Sequence, residues 1–236
     1  MTDESISTLR TMAADCPPMR LRPASLFVAH CGVLTIVFEG FDACILAMKD
    51  KIDRAFPGLE EEHEGSLWPK VTLAVLKDWK RLTESEVGRL RDVADEWKAV
   101  ICSPENEIEI NELLVVEYGC RNLEVRRRTE ALPLQGRPAD PVPPPHHARY
   151  VRSVLGQFTR DRIQEYTALI DRDGNRETHY REAAHGWSLV ADIAEEQLRF
   201  APQILESVDS VAAGKYRPFD PASWHVTVRS LDRAAG

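Results

Sequence analysis

This chain has few of the features that mark the commonest chemistries. It has no GxxxxGK[ST] and no GxGxxG segment, which removes the usual glycine-rich cradles for nucleotide phosphates. Its cysteines, Cys16, Cys31, Cys44, Cys102 and Cys120, are odd in number, are never spaced CxxC and mostly sit within apolar segments. They read as free or buried thiols of a reducing compartment, which argues against a disulfide framework or a metal centre. His146 and His147 follow prolines with no cysteine or carboxylate at ligand spacing, so no metal and no cofactor is expected. His185 and Ser188 in AAHGWSLVAD lack a nucleophile elbow and an acidic third partner, which discounts a serine hydrolase. The longest apolar run, LFVAHCGVLTIVF, is too short and too β-branched to span a membrane. The first residues do not join a basic start to an unbroken apolar stretch. No membrane partner and a cytoplasmic location are the expectations. Excess positive charge is missing as well: the net charge of -8 argues against binding nucleic acid through the overall field and leaves only a local basic cleft.

What is there is an ordinary globular composition with enough chain, 236 residues, to bury a core in one large domain or two small lobes. Residues 1–20 are polar, end in Cys-Pro-Pro and are expected to form a flexible leader. SLFVAHCGVLTIVFEGF (25–41) reads as one long strand or two short ones. Asp42 is placed to cap a helix running to Phe56, with Ile45, Met48 and Ile52 on one face, stopped by Pro57-Gly58. After the acidic loop LEEEHEGS, the segment 67–78 predicts a strand. Thr83 and Glu86 form a capping box for a helix whose apolar face is Val87, Leu90, Ala94, Trp97 and Ile101. Residues 107–134 read as an antiparallel pair turning near Gly119 to Asn122. QGRPADPVPPPHH (135–147) is a proline-rich connector. Beyond it the pattern predicts helices over about 149–170 and 177–212, with a kink at Pro202 and an end at Gly214, then a last strand.

Two of these segments match each other. WPKVTLAVL (68–76) and WHVTVRSL (224–231) align at their shared Val-Thr, which puts Lys70 and His225 in equivalent places, each two residues before a threonine. Strand side chains alternate, so Lys70 shares a face with Thr72 and His225 with Thr227. Side by side, the strands would build a small polar cluster.

The tail YRPFDPASWHVTVRSL (216–231) is similar to the second H-x-T motif of the two-histidine phosphoesterases, the superfamily of 2′-5′ RNA ligase-like proteins and cyclic phosphodiesterases. WPKVTLAVLKDWKRLTESEVGRLRD resembles the first motif strand and its following helix, and the resemblance spans about 22–134 and 185–231. It implies an α+β fold: two pseudo-symmetric strand-helix-strand lobes with antiparallel sheets around a central cleft, in a single bilobal domain over 21–236, with 148–180 as a helical insertion in the second half. It also implies metal-independent phosphodiester chemistry on a cyclic phosphate or a 2′-5′ linkage of RNA or a small nucleotide. There His225 would be the general base and Thr72 and Thr227 the phosphate-binding hydroxyls.

The departure is Lys70, where the family has its first histidine. Histidine, with an unperturbed pKa of about 6.5, holds both proton states near neutrality, whereas lysine starts near 10.4. Lys70 is therefore suited to stabilising phosphoryl charge or donating a proton, not to acting as a base. This leaves a competing expectation, a catalytically weak or inactive module that binds RNA ends or nucleotides, and a third, a protein-interaction domain using the helical insertion. His30, Tyr118 and Arg121 are further candidate cleft contacts, set against a core position for His30 and a plain hairpin turn for the other two. The arginine run in EVRRRTE (124–130) reads as a solvated strand edge that could also lend a positive rim.

Overall fold

The computed structural model describes residues 1–136 and 142–232. Its framework is one antiparallel sheet with helices packed against it, an α+β fold. The strands β2 (Pro23–Val28), β3 (Leu34–Phe38), β4 (Lys70–Leu76), β6 (Glu112–Tyr118), β7 (Arg126–Pro133), β8 (Gly186–Asp192) and β10 (His225–Ser230) run in the order β2-β3-β4-β10-β8-β6-β7. The β2-β3-β4 group and the β10-β8-β6-β7 group are joined edge to edge where Val226 of β10 pairs with Val71 of β4. β9 (Tyr216–Pro218) lies on the same edge of β4 but further along, against Ala74–Leu76. One edge of β4 is thus shared by two successive strands, with the turn 219–224 between them. A separate two-stranded ladder pairs β1 (Met19–Leu21) with β5 (Ile108–Ile110).

Local chemistry sets the helices. In α2 (Ala43–Ala55) the Asp42 carboxylate accepts the Ile45 N–H at 2.9 Å, and Ile45, Met48 and Ile52 are buried on one stripe. In α3 (Glu84–Ile101) both halves of the Thr83/Glu86 capping box are made, with Thr83 N–H donating to Glu86 Oε2 at 2.7 Å. α3 packs across β2, and α7 (Ala201–Val211) lies beside it.

Several expectations are corrected. Residues 1–20 are no loose leader: α1 (Asp3–Ala14), capped by Thr2, buries Ile6, Leu9 and Ala13 against β7 and α2, and β1 follows it. Other expectations hold: of the two readings of 25–41, one long strand or two short ones, the structure has the two strands β2 and β3, and the strand expected within 67–78 is β4. The long helix expected over 177–212 is broken up into α6 (Glu177–Arg181), the central strand β8, a short 3-10 helix (Glu195–Leu198) and α7. Pro202 stands in the first turn of α7, where its missing N–H costs nothing, so it opens that helix and does not kink it. α7 stops at Val211, and Gly214 serves the turn after it at φ 64°. The insertion over 148–180 comprises most of α4 (Pro145–Leu155), all of α5 (Ile163–Asp173) and the start of α6; residues 137–141 of the proline-rich connector lie outside the described residues. Among those described, no helix is long and apolar enough to cross a membrane.

Candidate functional site

The Val226–Val71 pairing fixes the geometry of the β4–β10 face. In an antiparallel ladder it sets Lys70 opposite Thr227 and Thr72 opposite His225. Val71 and Val226 are fully buried, while Lys70, Thr72, His225 and Thr227 are half-buried on the opposite face. That face is the floor of a cavity of about 1430 Å³. All seven side chains picked from the sequence line it: the four floor residues with His30, Tyr118 and Arg121.

Their environments differ. Lys70 Nζ lies 4.3 Å from the centroid of the Trp68 ring and has no hydrogen bond or ion pair among the described residues. Burial pulls its pKa down to about 8, and the nearby Lys49 ammonium adds to this; Cys31 and Glu62 oppose the shift. Glu62 is already engaged by Lys49 at 2.5 Å, and Lys49 also donates to the Ser66 carbonyl at 3.0 Å. Among the described residues the indole face is thus the one direct contact on the Lys70 ammonium, which leaves three N–H donors for an incoming anion. The hydroxyls of Thr72 and Thr227 likewise have no hydrogen-bond partner among the described residues.

His225 Nδ1 lies 2.7 Å from the Ser223 carbonyl oxygen. A carbonyl can only accept, so Nδ1 carries the proton and Nε2 keeps its lone pair. Burial holds the imidazole below its ordinary range, and the Arg126 and Lys70 charges push the same way. The Ser223 contact and Asp192 work against the shift, and Asp192 is clasped by Arg126 through two bonds of 2.7 and 2.8 Å. His225 is therefore a neutral imidazole at pH 7 with its Nε2 lone pair free of a proton.

The other three picks form walls. Tyr118 donates its hydroxyl to Asp232 Oδ2 at 2.6 Å, and Asp232 Oδ1 accepts the Trp187 N–H at 2.7 Å. Gly186 allows this: a Cβ there would stand 2.2 Å from the Tyr118 oxygen and 2.3 Å from Asp232 Oδ1. Arg121 is exposed and donates to the His179 carbonyl and to Glu182, both at 3.0 Å. His30 is exposed at the β2–β3 turn.

Comparisons with protein-family models, curated proteins and solved structures return no match for this chain. The site must be read from its own residues.

Several wall residues carried no local signal in the sequence. His179 and Tyr180 on α6, with Asn175 just before it, close the cavity from the insertion side; His63, Trp187 and His185 border it elsewhere. His179 and Tyr180 sit in the polar stretch RETHYRE, and only the docking of α6 beside the β6–β7 turn, where Asn122 N–H donates to the Tyr180 carbonyl at 3.2 Å, gives them a place. Five of the seven histidines line this one cavity, so proton acceptors surround whatever it holds. Among the described residues no three His, Cys, Asp or Glu side chains converge as a metal site.

Proposed function

We propose that the cavity binds a phosphodiester or cyclic phosphate of a nucleotide or RNA end and hydrolyses it, in the manner of the two-histidine phosphoesterases that the β4 and β10 sequences resemble. The observation that carries this reading is the β4–β10 register, which sets an uncommitted ammonium, two uncommitted hydroxyls and a neutral imidazole on one face of adjacent strands.

In this reading Thr72 and Thr227 donate to the non-bridging phosphoryl oxygens and the Lys70 ammonium neutralises charge building on them. His225 Nε2 takes the proton of a water as its oxygen bonds to phosphorus. The ribose oxygen leaves as its P–O bond breaks, and Lys70, whose depressed pKa makes it a better acid than an ordinary lysine, gives it a proton. A proton then passes from His225 back to Lys70 through solvent, which resets the site.

The test is turnover of a 2′,3′-cyclic nucleotide in EDTA. Wild type should release the monoester, and His225→Ala should slow this by roughly 10²–10⁴-fold, as expected for loss of an acid-base group. Lys70 in place of a second imidazole favours one alternative, a module that binds without turnover. Binding that persists without hydrolysis and fails in Lys70→Ala would establish it, and absence of both would reject the site. Lys70→His discriminates further: a faster variant marks lysine as a degenerate substitute, a slower one gives it a role of its own.

A further inference from the structure

Away from this cavity, two of the five thiols touch each other. Cys16 lies just past the end of α1, and Cys44 stands in the first turn of α2. Cys44 Sγ approaches Cys16 Sγ at 2.7 Å, and the Cys16 thiol also faces the Cys44 carbonyl at 3.7 Å. Cys16 is buried and Cys44 is half-buried. No other two cysteines are in contact among the described residues, and Cys120 instead faces Asn122 Oδ1 at 2.9 Å.

We propose that Cys16 and Cys44 form a reversible disulfide that ties the end of α1 to the start of α2. The sulfurs already converge to within an ångström of the ~2.05 Å covalent separation, so closure needs only a small side-chain adjustment. The co-reactant is a low-molecular-weight disulfide such as oxidised glutathione. Cys44, the more accessible sulfur, loses its proton to solvent and attacks one sulfur of that disulfide, making a mixed disulfide and releasing one thiolate. Cys16, deprotonated in turn, attacks the Cys44 sulfur, forming the protein S–S bond and expelling the second thiolate. Two protein thiols are oxidised, the small disulfide is reduced to two thiols, and the two protons end on the released thiolates. Burial raises the Cys16 thiol's pKa and opposes its ionisation, which makes the second attack the slow one.

Both helices reach the cavity. Met1, just before α1, Ser5, in its first turn, and Ala55 and Phe56, at the end of α2, all line its wall. The bond would tie the two helices together at their other ends, away from the cavity, and leave the β4–β10 floor untouched.

The experiment uses the full chain, incubated with oxidised glutathione, alkylated to trap free thiols and mapped by mass spectrometry without reduction. The expected result is a cross-linked peptide pair holding Cys16 and Cys44, about 2 Da lighter than the two reduced peptides together. It should disappear with dithiothreitol, and the oxidised protein should melt at a higher temperature than the reduced one. Cys44→Ser should give no cross-link at Cys16. Should Cys16→Ala fail to fold, Cys44→Ser in the half-buried position gives the same reading. Five alkylated cysteines, a cross-link between other positions, or a glutathione adduct that stays on Cys44 would each overturn the proposal.

Discussion

In the proposed reaction the imidazole of His225, held below its ordinary pKa by burial and by the Arg126 and Lys70 charges, is the base, and Lys70, with a pKa pulled down to about 8, is the clamp. A base must be unprotonated and an electrostatic clamp must be charged, so the two requirements bound a window. Turnover should rise as pH climbs through the depressed imidazole value, below 6.5, and fall again as Lys70 loses its proton around pH 8. A pH–rate profile in the cyclic nucleotide assay checks this. Lys70→Arg separates the two roles of the lysine: if only charge matters, the alkaline limb moves out beyond the range of lysine titration, and if a proton must be given, activity falls at every pH. These four floor residues were legible in the sequence because strand periodicity is 2 and the Val-Thr pair repeats. What sequence could not supply is the Ser223 carbonyl that fixes the His225 tautomer and the Trp68 ring beneath Lys70, since both depend on how the chain turns just before each strand.

Elements show the same division. The Asp42 cap of α2, the Thr83/Glu86 capping box of α3 and the apolar stripes of both are local, and the sequence carries them. GWSLVAD (186–192) is a short apolar run between helix formers, where periodicity does not choose between helix and strand; hydrogen bonding to β10 on one side and β6 on the other decides it. α1 was hidden by its polar face, although Ile6, Leu9 and Ala13 hold helical spacing. The placement of α6 is the least local of all. This five-residue helix is pinned from outside by the Asp78 carboxylate, which accepts the Thr178 N–H at 2.9 Å and its hydroxyl at 2.6 Å. α6 delivers His179 and Tyr180 to the cavity, so Asp78→Ala should loosen that wall and raise the KM or ligand Kd several-fold. Because the lost bonds are exposed and water replaces them, the melting temperature should fall by no more than a few degrees. Ligand titration together with hydrogen exchange at 177–181 reads both effects.

For the molecule as a whole, acid is the expected weakness. His147 on α4 is buried, faces the Phe41 ring with centroids 6.0 Å apart, and has no hydrogen-bond partner for Nε2 among the described residues. Burial, with Lys49 and His146 adding to it, lowers its pKa to about 4. The unfolded chain therefore takes up this proton first, near pH 6.5, and stability falls as pH drops from there to about 4, by at most ~1.4 kcal/mol per pH unit from this group. Above pH 6.5 the group is neutral in both states and contributes no slope. The half-buried imidazole of His225, whose pKa is likewise lowered, acts with the same sign. Melting temperatures from pH 7 to 4 should fall, and His147→Leu should flatten that slope.

The ladder at Val71 and Val226 also governs when this protein becomes itself during folding. It brings together residues separated by roughly two thirds of the chain, so the loop-closure entropy opposing it is among the largest in the sheet, and such non-local pairings are slow. Each strand group can collapse on nearer neighbours beforehand, with its helices in place. In a refolding experiment, bulk helical signal should return ahead of ligand recognition, because no intermediate lacking that last seam has its lysine and histidine within reach of a common guest.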